Sequence, residues 1–516
     1  GRIRSYRDVS SKLIFYDIVR DQRKIQCVAS HARVGGERED FYDGNTSLRI
    51  GDIVSITGFP GRSDTGELSI YATSLPRLLA PCLHQLPDSL DNPEKLKQNR
   101  HLDLLVHPQP AHTLKLRSRI IQQVRKHLTS QDFTEVQTPI LSYSAGGAIA
   151  KPFLTTASST HQPLALRIAP ELWLKRLLIG GLDRVFELGP QFRNEGVDST
   201  HNPEFTTCEL YISFGRLDDV ITLTEELLAS LERLTRQLTA PGAACASLPP
   251  LDPDLANAFA KSFPRLEFIP TLETALGEPL PVLDGRADKA VAADLHALAA
   301  RHGVPTNPTA SPAKILDKLA SAFIEPLCYN PTWIIHHPEC MAPLAKSRVR
   351  GGRRVSVRVE LFVKEWELVN AYEEENSPWE QRRKLVRQAG EAGGVKKGAE
   401  GEDVMDLDEK YCEALEWGLP PTAGWGMGID RLIMLFSGQE KITDVMAFGG
   451  LRGAALQGSK KPLGGGGGGA GKRREREQEM KKRMAEQKGL DTQDGDDVLQ
   501  MVRELAESLK DGRSEK

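Results

Sequence analysis

No two of the seven cysteines stand at CxxC spacing; they are scattered at positions 27, 82, 208, 245, 328, 340 and 412. That excludes a disulfide scaffold and a cysteine-rich zinc site, and it points to a reducing compartment. No apolar run approaches the roughly 18 residues that a membrane span needs, so no membrane partner is expected. Nor is one sign of charge in excess. The 67 Lys and Arg face 70 Asp and Glu, a net charge of -3, so any nucleic-acid surface must be local. With 516 residues, 40% of them hydrophobic, there is material for a sizeable core and for several domains. The first residue is Gly1, not Met, which leaves room for a targeting segment upstream.

Residues 1–87 read as β structure. Leu13 to Tyr16 and Ile25 to Val28 are short strand-like runs separated by the charged turn Val19 to Gln22. Gly51 to Gly58 and Glu67 to Tyr71 follow, divided by the turn Gly61 to Gly66. Four or five short strands in so little chain predict a small barrel of the OB type. After a linker, 88–111, residues 112–452 carry both helical and β patterns, an α+β domain. Leu116, Ile120, Val124 and Leu128 share one helix face, and the strand that follows ends at Pro139. Residues 184–211 and 357–374 alternate in β fashion, and 429–436 begin a buried helix. Residues 238–330, rich in Ala, Leu and Pro, read as a largely helical insertion. From 453 to 516 a run of six glycines and dense mixed charge predict a disordered tail, with one unanchored amphipathic stretch, Val498 to Leu509.

Three segments carry chemistry. In the first, a strand ends at Arg193, a polar loop follows, and a second strand sets Phe205, Thr207, Glu209 and Tyr211 on one face. An arginine, an aromatic plane and a carboxylate suit a ligand with a phosphate, a flat base and a positive charge. Taken alone, the pattern fits an ordinary strand with a charged face equally well. The second, Glu360 to Glu374, predicts a hairpin turning near Lys364-Glu365, with Asn370, Tyr372 and Glu374 on one face. Glu360 and Glu367 are hard oxygen donors able to hold Mg²⁺ against phosphates. Parity sets Glu367 opposite Asn370, so a bulge is required for all five to share a pocket. By composition alone this is also a solvated acidic surface. The third, Gly424 to Arg431, is a weak glycine string whose value lies in close backbone approach. His336-His337 lacks a partner at metal-ligand spacing and reads as structural.

Together, RIAPELWLKRLLIGGLDRVFELGPQFRNEG, THNPEFTTCELY, ELFVKEWELVNAYEEE and GLPPTAGWGMGIDR resemble the signature motifs of class II aminoacyl-tRNA synthetases. The fit is closest to the lysyl enzymes, and it runs from Gly1 to about Arg452. The resemblance implies an OB barrel that binds the anticodon and a catalytic domain with an antiparallel sheet flanked by helices. It also implies a homodimer formed through the helix-strand motif ending at Pro139. Arg193 would bind the ATP α-phosphate and the lysine carboxylate; Glu195, His201 and Asn202 would steady the nucleotide; Phe205 and Arg431 would sandwich the adenine. Arg193 and Arg431 are thus the catalytic pair. Glu360 also counts among the ATP contacts, and with Glu367 it matches the magnesium positions. Gly147 and Glu171 match the contacts to the α-ammonium, Asn370 to the carboxylate, and Glu209, Tyr211, Tyr372 and Glu374 to the ε-ammonium. In the barrel, Phe15 and Gln26 sit where an anticodon base is stacked and hydrogen-bonded.

A buried ammonium needs paired carboxylates to offset its lost hydration, and Glu209 with Glu374 is the expected pair. Two acids would repel aspartate and be left unpaired against asparagine, which favours lysine at the resembling site. Several features look like the fungal mitochondrial members, which favours the mitochondrial matrix over the cytoplasm, the alternative location: QNRHLDL from Gln98, the Ala447 to Arg452 ending, and NAYEEENSPWEQRRK. Two other readings stand beside lysine activation: a catalytically inactive, synthetase-like RNA-binding protein, and an enzyme that lysylates a protein. In the resembling members a helix and strand precede Gly1, so the first strand is expected to expose an edge.

Overall fold

The computed structural model describes residues 1–87, 92, 96, 99–143, 146–148, 150–391, 408–449 and 478. Residues 88–91, 93–95, 97 and 98 of the expected linker, and the expected tail apart from Gln478, lie outside the described residues. The described chain divides into two compact units, one from Gly1–Leu96 and His101–Pro108, the other from Lys97–Arg100 and Gln109–Gln457.

In the first unit β1 (Arg2–Ser10), β2 (Leu13–Arg20) and β3 (Arg23–Ser30) form a meander. The β2–β3 turn is Asp21 and Gln22, both left-handed at φ 49° and 62°, the two-residue geometry whose twist matches the flanking strands. β4 (Ile53–Ser55) and β5 (Gly58–Arg62) are successive pieces of one run. β4 pairs with β1, and β5 pairs with β6 (Leu68–Ala72), which lies parallel to β3. The ladder therefore returns on itself as a barrel, with β7 (Arg77–Ala80) beside β4. Closure at β1 is brief: Arg2 faces Ile53, and Ile3 N–H donates to Asp52 C=O at 2.9 Å. Beyond it, Ser5 to Ser10 are exposed. Ile14, Tyr16 and Ile18 point inward onto Ile3, Cys27, Val54 and Phe41, the last from helix Arg38–Thr46. Alternation then turns Phe15 and Asp17 of β2 to the outer face.

The second unit is built on an eight-stranded sheet. Its strands are β8 (Thr134–Glu135), then β12 (Arg184–Phe192) and β13 (Glu204–Ser213) after a small sheet of β9 (Leu141–Ser142), β10 (Leu154–Thr156) and β11 (Pro163–Leu166). They continue with β14 (Arg265–Glu267) and β15 (Thr332–Ile335), and a separate hairpin of β16 (Ser347–Arg350) and β17 (Arg353–Ser356) intervenes. β18 (Arg358–Val363), β19 (Trp366–Glu373) and β20 (Thr422–Gly428) complete it. The order is β14-β15-β18-β19-β20-β13-β12-β8, antiparallel throughout except for the outermost pair at each side.

One face of this sheet is a core. Cys208, Leu210 and Ile212 of β13 pack with Leu116, Ile120, Val124 and Leu128 of helix Pro108–Thr129. Helices Leu217–Thr239 and Ile429–Ser437 add Leu227, Leu231, Leu432 and Ile433. Each such fully buried aliphatic side chain stabilises by about 1.5–3 kcal/mol, so this face is not free to bind a ligand. The insertion forms its own core from helices Phe268–Leu276, Asp288–Arg301 and Pro312–Phe323. It is not wholly helical, because β14 inside it pairs with β15 and covers an edge otherwise unpaired.

Candidate active site

A cavity of about 450 Å³ lies on the other side of the central strands, large enough for a small-molecule ligand. Strand periodicity explains the choice of lining. The residues of β13 between those in the core, namely Phe205, Thr207, Glu209 and Tyr211, face the cavity. The hairpin β18–β19 turns at Lys364 and Glu365, both left-handed, as the sequence predicts. Leu361 pairs with Val369 but Phe362 with Glu367, so Leu368 is one extra residue. This is the bulge that parity required, and it turns Glu367 to the same cavity as Glu360, Asn370 and Tyr372.

Arg193, Glu195, His201, Asn202, Phe205 and Arg431 are among the residues that line the cavity. The guanidinium of Arg193 lies 5.0 Å from the centre of the Phe205 ring. Arg431 donates to the carbonyl of Glu367 at 3.0 Å and to His201 Nε2 at 2.9 Å. With Nε2 accepting, His201 Nδ1 carries the proton and donates to Asp198 at 2.8 Å. Asn202 is buried, donates to Glu204 C=O at 2.6 Å, and its Oδ1 has no partner among the described residues. The set offers an aromatic plane, two guanidinium groups and an amide acceptor to a nucleotide.

Glu360 and Glu367 line the same cavity. Burial raises a carboxylate, but Arg358 and His337 more than reverse this for Glu360 and hold it down at about 2. Arg358 bonds its Oε1 and His337 Nε2 lies 2.9 Å from its Oε2. Burial and the charge of Glu360 push Glu367 the other way, to about 7. Two carboxylates of one cavity, Glu367 with Arg431 Nη1 3.9 Å away, offer hard oxygen donors to a divalent cation. Among the described residues no third His, Cys, Asp or Glu completes a metal-binding group, so the remaining ligands would come from what binds there.

The cavity is also lined by Gly147, Glu171, Glu209, Tyr211, Asn370 and Tyr372. Gly147 is left-handed at φ 93°, and a Cβ on it would lie 3.0 Å from Glu171 Cβ, so glycine is needed for this approach. Arg358 donates to Asn370 Oδ1 at 2.9 Å, which leaves the amide NH₂ as the end available to an anion. Tyr211 OH donates to Glu209 at 3.3 Å. Burial and the neighbouring charge of Glu171 raise Glu209 to about 8 in spite of Arg193.

Glu374 does not line the cavity. Its carboxylate is completely buried and ion-paired with Lys175 of helix Glu171–Ile179, so the expected acidic pair is split, with Glu209 at the cavity and Glu374 behind its wall. The glycine string serves this arrangement: a Cβ at Gly424 would fall 1.9 Å from Glu374 Oε1. Close approach there admits a side chain of the protein itself. Lys175, Arg358, Arg117 and Asp430 had no role assigned from sequence, and His337, read there as structural, lies against Glu360. The signal for two of them was local, since Lys175 follows Glu171 at helical spacing and Arg358 shares a strand face with Glu360.

In the barrel, Phe15 is half-buried on the outer face with the Arg7 guanidinium 5.0 Å from its ring centre. Gln26 donates to Glu67 at 3.0 Å and accepts from Ser69 at 2.9 Å. Register carries the row from Arg7 and Phe15 through Val28 to Tyr71 and Phe59. Arg33 lies 4.3 Å from the Tyr71 ring centre and 5.2 Å from that of Phe59. Aromatic planes edged by arginines form a surface suited to unpaired bases.

Residues 1–78 match the model of the OB-fold nucleic acid binding domain, and residues 92–452 that of tRNA synthetases class II (D, K and N). Among curated relatives, a mitochondrial lysine–tRNA ligase of Schizosaccharomyces pombe is 43% identical, over 88% of this chain and 83% of its own. A lysine–tRNA ligase of Cladosporium cladosporioides is 40% identical over 89% and 77%. A probable cytoplasmic lysine–tRNA ligase of Encephalitozoon cuniculi is 36% identical over 87% and 86%. Matched over most of its length by one family model, the chain belongs to the class II tRNA synthetases of the D, K and N group.

Proposed function

We propose that this chain is an ATP-dependent lysine–tRNA ligase, which converts L-lysine to lysyl-adenylate and passes the lysyl group to the 3′ end of lysine tRNA. The observation that carries the reading is Glu209, a buried carboxylate lining the cavity, bonded among the described residues only by a tyrosine hydroxyl. Such a group binds an ammonium and repels the carboxylate of aspartate. The relatives named lysine–tRNA ligases point the same way.

The chemistry needs no protein nucleophile. The lysine carboxylate, bound by Arg193 and the NH₂ of Asn370, attacks the α-phosphorus of ATP; pyrophosphate leaves and the mixed anhydride forms. A terminal ribose hydroxyl of the tRNA then attacks the anhydride carbonyl, and AMP leaves. Arg193 and Arg431 neutralise charge that builds on the phosphate, while Phe205 and Arg431 hold the base. Magnesium, held by Glu360 and Glu367, would supply further charge neutralisation at the nucleotide phosphates. Glu171 and the backbone at Gly147 receive the α-ammonium, Glu209 with Tyr211 and Tyr372 the ε-ammonium, and Glu374 acts from behind through Lys175.

Phe15 and Gln26 take an anticodon base in the barrel. Homodimerisation is supported by the exposed apolar side chains Ile140, Leu141, Tyr143 and Leu154, which follow the helix-strand motif. Action in mitochondria is supported by the naming of the fission-yeast relative. The test is ATP–pyrophosphate exchange with lysine, aspartate and asparagine, followed by charging of mitochondrial and cytosolic lysine tRNA. Exchange with lysine alone is expected. A folded protein without exchange would return the RNA-binding, inactive reading.

A further inference from the structure

Lys175 is a buried cation whose part in amino acid binding the proposed chemistry does not define. Its side chain is fully inaccessible, its Nζ lies 2.6 Å from Glu171 Oε1, and it is ion-paired with Glu374 Oε2. The hydroxyl of Tyr372 donates to the same Glu171 Oε1 at 2.7 Å. The ring centres of Tyr211, Tyr372 and Tyr411 lie 5.7–6.0 Å from Nζ, so an aromatic cage completes its surroundings. Burial alone lowers an ammonium's affinity for its proton, but the charges of Glu171 and Glu374 more than reverse that, and Lys175 stays protonated.

We infer that Lys175 is a positioning residue for the amino acid substrate: with Tyr372 it occupies one oxygen of Glu171 and so presents the other to the substrate's α-ammonium. Without Lys175, Tyr372 alone would hold that oxygen, and the buried Glu374 would lose its ion-pair partner. The inference rests on the reading of Glu171 as the acceptor of the α-ammonium.

The test uses the full chain and lysine-dependent pyrophosphate exchange. K175M/E374Q removes one charge of each sign, so the region's net charge is unchanged, and circular dichroism with a melting curve establishes the fold. The expected result is a KM for lysine raised at least tenfold, with the KM for ATP within about twofold of the unaltered protein. E171Q is expected to give a similar rise, and adding it to the double variant no more than a further twofold, since both act through one group. A folded K175M/E374Q with the original lysine KM, or multiplying effects in the triple variant, would overturn the inference. Should the double variant not fold, the single acid variants decide. E171Q must raise the lysine KM more than tenfold and E374Q, which leaves Lys175 on Glu171, less than fivefold; the reverse order overturns the inference. Absence of exchange in the unaltered protein would sink the functional reading instead, a distinct outcome.

Discussion

Asp430 accepts the backbone N–H of Thr206 at 2.6 Å, which ties the residue before Arg431 to the residue after Phe205. The two groups proposed to enclose the base are thus joined by one carboxylate, which also pairs with Arg117 from helix Pro108–Thr129. Asp430→Ala strips a mostly buried arginine of its partner and should cost about 3–5 kcal/mol of stability. Asp430→Asn keeps the acceptor and should cost less, while raising the KM for ATP more than that for lysine. Calorimetry and exchange kinetics check both; equal effects on the two substrates would disconnect Asp430 from the nucleotide end.

Glu209→Gln should raise the KM for lysine about 100-fold or more, as expected when a charge-assisted hydrogen bond to a buried ammonium is lost at a cost of about 3 kcal/mol. The KM for ATP should hardly move. An unchanged lysine KM in a folded variant would remove Glu209 from the site.

The same residue predicts a pH dependence. Glu209 faces Glu171, Glu187, Arg193 and Tyr211, and burial with the charge of Glu171 raises it to about 8. Below that pH the empty site is largely protonated, and a bound ammonium favours the ionised form, so binding expels a proton. The KM for lysine should therefore fall by up to about tenfold per unit as pH rises from 6 toward 8, then level off. Glu209→Gln should flatten this slope; a slope retained in the variant assigns the proton elsewhere.

Gly424→Ala places a methyl group 1.9 Å from Glu374 Oε1 and 2.6 Å from Tyr211 Cε1, both fully packed. Overpacking there should cost about 1–3 kcal/mol and disturb the Lys175–Glu374 pair. Thermal unfolding gives the first and the KM for lysine the second. A variant as stable as the parent would mean that Glu374 is free to move.

Phe15→Ala in the barrel should leave pyrophosphate exchange intact and weaken tRNA charging, because a stacked base contributes about 1–3 kcal/mol. The KM for tRNA should rise by about tenfold. A loss of exchange without tRNA would point to a folding defect.

Much of this arrangement is readable from residue order. Alternation along β13 separates Phe205, Glu209 and Tyr211 from Cys208, Leu210 and Ile212, since side chains of a strand must point to opposite faces. The same parity demanded a bulge between Glu360 and Glu367, and Leu368 provides it. The turn at Lys364-Glu365 followed from local patterning, whereas the expected Val19–Gln22 turn narrows to Asp21-Gln22, with Val19 and Arg20 paired in β2. Periodicity assigns a face, however, without saying how deep on that face a side chain will sit. Glu374 lies on the face expected of it but just beyond the end of β19, where it bridges to Ala345 and meets Lys175 of a distant helix. Whether that carboxylate met substrate or an internal cation depended on which positive charge the fold brought to it, and Coulomb attraction in a dry interior carries no trace in the spacing of residues along the chain.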